Sequence, residues 1–258
     1  MKTLTKPTHI LILLIITFLA QKFLLGDWIK DAIVDTLIPT GSRALCLLGI
    51  ITVKLIVVIL AMLFLCKPNK MAYYLGLPQN PVEGIVFGLI CIIPLALVGI
   101  IFGNVNTELT IDDALYAAFI PGIYEEIVYR GFYFGALKRF GNVKFVWAAL
   151  LAALVFGSGH FYQGDGNIMT GLMAVGVTAL GSLFFSWIYM QWNYNIWANA
   201  SFHILMNLMW NMFIIDSENS NAIGGIILNI GRIAVVALAI IGTILYKKHK
   251  GEPLEKML

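Results

Sequence analysis

Eight apolar runs separated by short polar loops decide what this 258-residue chain can fold into. They lie at about 9–25, 44–66, 84–103, 114–137, 146–163, 168–190, 196–215 and 224–246, and crossing a bilayer as a helix takes about 20 apolar residues. Charged residues make up only 12% of the chain, where soluble domains carry roughly 25%. These features predict an all-α, polytopic membrane bundle of about eight transmembrane helices. It forms a single membrane domain, 1–258, with a functional core at about 114–213, amino-terminal spans within 9–103 and a carboxy-terminal span at 224–246.

The basic residues supply an orientation. Lys2, Lys6, Lys67, Lys70, Lys138, Arg139, Lys144, Lys247, Lys248, Lys250 and Lys256 collect on one side, and only Lys30 and Arg43 on the other, where the later loops carry Glu108, Asp112, Asp113, Asp165, Asp216 and Glu218. Positive charge marks the cytoplasmic side, so a multi-pass protein of the cytoplasmic membrane with both termini inside is expected. The first run lacks a small-x-small cleavage site, and it reads as a retained span rather than a signal peptide. A net charge of +3 without a basic run gives no purchase on nucleic acid. Cys46, Cys66 and Cys91 show no Cys-x-x-Cys spacing and read as small apolar residues. Gly131 with Gly135, and Gly171, Gly176 and Gly181, read as close helix packing. Trp187, Trp192, Tyr194 and Trp197 read as an interfacial belt.

Within the fourth run stands Tyr124-Glu125-Glu126-Ile127-Val128-Tyr129-Arg130-Gly131. A charge at the bilayer centre costs at least about 2.5 kcal/mol, so three of them need partners and a purpose. Glu126 and Arg130 are four apart on one helical face and can pair, whereas Glu125 is rotated about 100° away and is left for a proton, a water or a ligand. Pro121 and Gly122, one turn earlier, loosen the helix and free carbonyls beside the carboxylates. Two later runs each carry a buried imidazole. Phe156 and His160 share a face in the fifth, and Asn199, His203 and Asn207 form a stripe at four-residue steps in the seventh. At about 1.5 Å per residue from the cytoplasmic ends, Glu125 lies ~18 Å deep, His160 ~21 Å, Asn207 ~16 Å and His203 ~10 Å, which suits one intramembrane pocket. Lys54 and Arg232 are also within apolar runs, with no evident partner.

A carboxylate beside an imidazole in a dry cavity can hold a water and take its proton, while a second imidazole and a carboxamide can donate to the oxyanion formed when that water attacks a carbonyl. Those parts suffice for peptide hydrolysis. Ser158 and Ser201 lie near the histidines but match no triad pattern. Glu125, His160 and His203 could instead ligate a divalent metal such as zinc, although the His-Glu-x-x-His spacing is absent. Both a metal-free and a metal-dependent site therefore stay open.

Glu-Glu-x-x-x-Arg at Glu125, Glu126 and Arg130, Phe-x-x-x-His at Phe156 and His160, and His-x-x-x-Asn at His203 and Asn207 follow one another on successive runs. In that order the set resembles the CAAX-prenyl endopeptidase and bacteriocin-processing (CPBP, or Abi) family, over about 114–213. The resemblance implies an intramembrane protease acting on peptides or membrane-anchored proteins in the lipid bilayer. It assigns Glu125 as general base, His160 as the residue that positions the water, and His203 with Asn207 as the oxyanion site. Glu126, Arg130 and Phe156 then brace the pocket. The family is described both as metalloproteases and as glutamate-dependent without a metal. A non-proteolytic scaffold or bacteriocin-immunity factor of the same fold is the alternative reading, and a proton-coupled transporter is a third.

Overall fold

The computed structural model describes residues 6–24, 27–215 and 222–256, and it is helical nearly throughout. Lys2, Asp216 and Glu218, used above for orientation, fall outside the described residues, as does the last residue of the first apolar run. The helices are α1 (Pro7–Leu19), continued by a π-helical stretch Ala20–Leu24, then α2 (Asp27–Leu37), α3 (Arg43–Leu65), α4 (Pro68–Tyr74), α5 (Pro81–Cys91) and α6 (Ile93–Phe102). After a short strand β1 (Asn104–Val105), the fourth run is built from α7 (Ile111–Ala114), a π-helical turn Leu115–Phe119, α8 (Ile120–Glu125) and further π-helix over Glu126–Phe134 and Ala136–Phe140. Next come α9 (Phe145–Ser158), α10 (Ile168–Gln191), α11 (Ile196–Met212), the strand β2 (Phe213–Ile214) and α12 (Ile226–Lys250).

Local chemistry sets these ends. Prolines at the first turns of α1, α4 and α5 cost no hydrogen bond there, because those N–H groups would be unpaired anyway. Side chains of Ser42, Asn80, Asn167 and Asn195 accept from the first-turn amides of α3, α5, α10 and α11. Pro94 separates α5 from α6 by withholding its N–H from the ladder. Antiparallel pairing of β1 with β2 ties the end of α6 to the end of α11.

Each of the eight apolar runs is helical, but among the described residues four helices have the length and apolarity to cross a membrane: 43–65, 81–102, 168–191 and 226–250. The others are shorter or interrupted. Gly157 and Gly159 bracket the end of α9 after 14 residues, and π-helical segments break the regular ladder of the fourth run. Of the four long helices, only 22–33% of the most apolar stretch is buried inside the protein. Residues such as Ile12, Leu60, Phe64, Ile101, Leu180 and Ile233 face outward, and that much exposed hydrocarbon requires lipid around it. The chain is thus an all-α, multi-pass membrane protein.

Two apolar clusters flank the fourth run. One joins Ile10 and Leu14 of α1, Met62 of α3, Phe132 and Phe134 of the π-helix, and Ala148 and Ala152 of α9. The other joins Phe87 of α5, Leu95 of α6, Ile188 of α10, Phe202 of α11 and Val235 of α12. Backbone contact between α5 and α11 is unusually close. A Cβ on Gly84 would sit 2.5 Å from the Ala198 amide nitrogen, and one on Gly88 would sit 2.6 Å from the Ser201 hydroxyl oxygen. These glycines let α5 and α11 approach closely, as small residues do where helices meet in lipid. Gly176 and Gly181 behave otherwise: space around them is open, so the packing role expected from their spacing is not theirs. Trp192, one of the residues of the expected interfacial belt, packs inside the bundle. It is 7% exposed, stacks on Tyr246 at 4.4 Å and donates its indole N–H to Thr243 at 3.0 Å.

Candidate active site

Glu126 is fully buried and collects three donors from two elements. Arg130 reaches Oε1 at 2.9 Å from the next turn of its own helix, His203 Nδ1 lies 2.7 Å from the same oxygen, and Asn199 Nδ2 donates to Oε2 at 3.1 Å. The pairing of Glu126 with Arg130 agrees with the four-residue spacing. The two contacts from α11 were not read from that spacing, and they turn an ion pair into a junction between helices. Arg130 is 1% exposed, and its guanidinium lies over the rings of Phe156 at 4.9 Å and Phe185 at 5.0 Å. A buried charge held this way is costly to strand: removing one partner of such a pair destabilises by about 3–5 kcal/mol.

Glu125 has a different setting. It lines a cavity of about 550 Å³ together with His160, His203 and Asn207. Its side chain is 21% exposed, and His203 Nε2 lies 3.7 Å from its Oε2. The imidazole of His203 therefore stands between the two adjacent glutamates, one nitrogen against each. The depths counted along the helices suited one shared pocket, and His203 and Glu125 do meet across it.

His160 lies just past the last turn of α9. Its Nδ1 is 3.0 Å from the Phe156 carbonyl oxygen, so Nδ1 carries the hydrogen and Nε2 is left as an acceptor. The Phe156 ring packs on the imidazole at 4.7 Å, the wall expected from their spacing. Asn207 donates from Nδ2 to the Ala117 carbonyl at 3.2 Å. Pro121 supplies no N–H to that carbonyl four residues back, so the loosening expected around Pro121 has a defined recipient. Asn211, one turn further along, donates to the Asn207 carbonyl at 2.7 Å.

Ser158 and Ser201 donate to the Val155 and Gly84 carbonyls at 2.8 and 2.7 Å, and neither meets a histidine. Lys54 is half-buried on α3 and within electrostatic range of Glu125, whereas Arg232 lines the same cavity as Glu125. Asn199 and Phe185 were missed as site residues. Asn199 could have been included as the first member of the α11 stripe, but no local signal marks Phe185. For a metal, each imidazole is anchored through Nδ1, His160 on the Phe156 carbonyl and His203 on Glu126, and keeps Nε2 as the nitrogen that could ligate. Among the described residues, no three or more His, Cys, Asp or Glu side chains are gathered as an ion requires.

Residues 107–209 match the family model described as "Type II CAAX prenyl endopeptidase Rce1-like". That segment is of the CAAX-protease family. The CAAX-protease segment spans the fourth run through most of α11 and contains Glu125, Glu126, Arg130, Phe156, His160, His203 and Asn207. No curated protein and no solved structure matches the chain.

Proposed function

We propose that the protein is an intramembrane endopeptidase that hydrolyses peptide bonds of peptides or membrane-anchored proteins by water attack, with Glu125 as general base. The observation that carries the reading is that Glu125, His160, His203 and Asn207, from three separate runs, line one cavity. The basic-residue asymmetry favours eight crossings with both termini cytoplasmic.

The roles follow from what each nitrogen and oxygen already does. His160 Nε2 accepts a hydrogen bond from the water and so turns a lone pair of the water oxygen toward the substrate carbonyl carbon. Glu125 takes the water proton as the C–O bond forms, a contribution of typically about 10² to 10⁴ in rate. From Glu125 the proton passes to His203 Nε2, over a gap now 3.7 Å that closes as the site tightens on substrate. The imidazolium so formed is balanced at Nδ1 by Glu126 and donates to the oxyanion, helped by the second N–H of Asn207. Collapse of the tetrahedral adduct breaks the C–N bond, and His203 returns the proton to the leaving amine. Arg130 keeps Glu126 charged and fixed while this happens.

The test compares protein N-termini in membranes from cells making the wild-type protein and the Glu125→Gln variant at equal levels. A set of N-termini present only with wild type supports hydrolysis and names substrates. Identical sets in the two membranes would sink the reading and favour a scaffold.

A further inference from the structure

Arg232 is not used by the chemistry above, yet it lines the same cavity as Glu125 and His160. It sits in the second turn of α12 on the Trp210 side of that space. Its guanidinium stacks over the Trp210 ring at 4.5 Å from the centroid, and Nη2 donates to the Ala222 carbonyl at 2.9 Å. Among the described residues it forms no ion pair. The Ala222 amide is held in turn by Gln163 Oε1 at 2.8 Å, so the strand of chain under the guanidinium is fixed from both sides.

One carbonyl uses one of five guanidinium N–H groups. A clamp on Ala222 would need no more than that, and a neutral amide could provide it without the cost of a charge in an apolar run. Stacking on an indole covers a face of the guanidinium and leaves its edge free, and that edge is the one that takes a carboxylate through two parallel hydrogen bonds. Asn211 and Gln163 line the cavity beside it and make the surroundings polar enough for such a ligand.

We propose that Arg232 is a specificity-determining residue that binds a carboxylate of the substrate within the cavity that Glu125 also lines. The identity of the ligand as a peptide rests on the hydrolytic reading, while the carboxylate preference rests on Arg232 alone. The carboxylate has two sources, the free carboxy terminus of a short peptide or an acidic side chain, and the same edge would take either.

The experiment measures binding and not turnover. Purified Glu125→Gln protein in nanodiscs is titrated with three dansyl-labelled hexapeptides of alanine, leucine and valine. One ends in a free carboxylate, one in an amide, and one is amidated with a single internal glutamate. At least one carboxylate peptide is expected to bind about tenfold or more tightly than the neutral amide, as a charge-assisted bond contributes. Preference for the first assigns the carboxy terminus and preference for the third a side chain. In Glu125→Gln/Arg232→Gln the discrimination should fall to about one. In Glu125→Gln/Arg232→Lys, which keeps the charge but not the fork, it should be intermediate. Melting curves of both double variants check that the bundle stays folded. Equal binding of all three peptides, no binding of any, or discrimination that survives Arg232→Gln in a folded protein overturns the proposal. Failure of wild-type protein to cleave in membranes would instead strike the hydrolytic reading and leave a measured carboxylate preference standing.

Discussion

Glu125 and Glu126 are neighbours in the chain and opposites in the structure. Glu126 is sealed, with both oxygens occupied by Arg130, His203 and Asn199, whereas Glu125 opens onto a cavity and, among the described residues, has one long ion-pair contact, to His203. One peptide unit of rotation separates a carboxylate that holds helices together from one left free to react. The difference teaches that an acid in a membrane helix is assigned by how many donors reach it, because each satisfied lone pair removes a reason to bind anything else. His203 couples the two settings, since a single imidazole spans both.

The comparison can be broken by substitution. Glu125→Gln should lower processing by about 10² to 10⁴-fold with the melting temperature unchanged. A comparable loss of stability would place Glu125 in the frame with Glu126. Glu126→Gln should show the converse pattern first, a loss of about 3–5 kcal/mol from the stranded Arg130, read as a lower melting temperature and yield. Combining it with Arg130→Met should recover part of that loss, because the unpaired charge is gone, without recovering activity. A smaller effect is expected for Asn207→Ala. Removing one oxyanion donor costs about 10² to 10³ in turnover, and kcat should fall more than KM rises.

Smallest of all is a contact that is not part of the cavity lining. Asp112 accepts from the Ser42 hydroxyl and from the amides of Arg43 and Ala44 at the start of α3, and the Ser42 bond, ahead of the amides, holds its carboxyl below the ordinary carboxylate range. A carboxyl depressed on folding adds stability that is complete above its unfolded pKa and is lost as pH falls through the folded one. Melting temperature should therefore decline on acidification below the ordinary carboxylate range, and less so in Asp112→Asn. An identical acid slope in both proteins would remove this contact from the account.

Much of the site was legible because charge and amide groups in apolar runs are expensive enough to stand out. Glu125, Glu126, Arg130, His160, His203 and Asn207 could be picked on that ground, and four-residue spacing paired Glu126 with Arg130 and Phe156 with His160. What spacing cannot carry is contact between helices. Asn199 and His203 meet Glu126 across 73 and 77 residues of chain, and nothing local announces it. Glycines mislead for the same reason: Gly84 and Gly88 make the close approach to α11, while Gly176 and Gly181 face open space, and only the neighbour's position tells these cases apart. The number of crossings suffers too, because apolar length in the sequence does not reveal that Pro121 and the π-helical segments break up the fourth run.

The bond from His160 to Phe156 ties a proton's address to the place where a helix stops. As α9 ends at Ser158, the Phe156 carbonyl takes the Gly159 N–H at 3.1 Å and keeps a second lone pair for the imidazole, and that bond fixes which side of the imidazole is already spoken for. A terminus shifted by one residue would present a different carbonyl, or none, and the tautomer of His160 would lose its anchor. On the proposed reading, the end of a helix is thus as much a part of the reagent as the side chain that follows it.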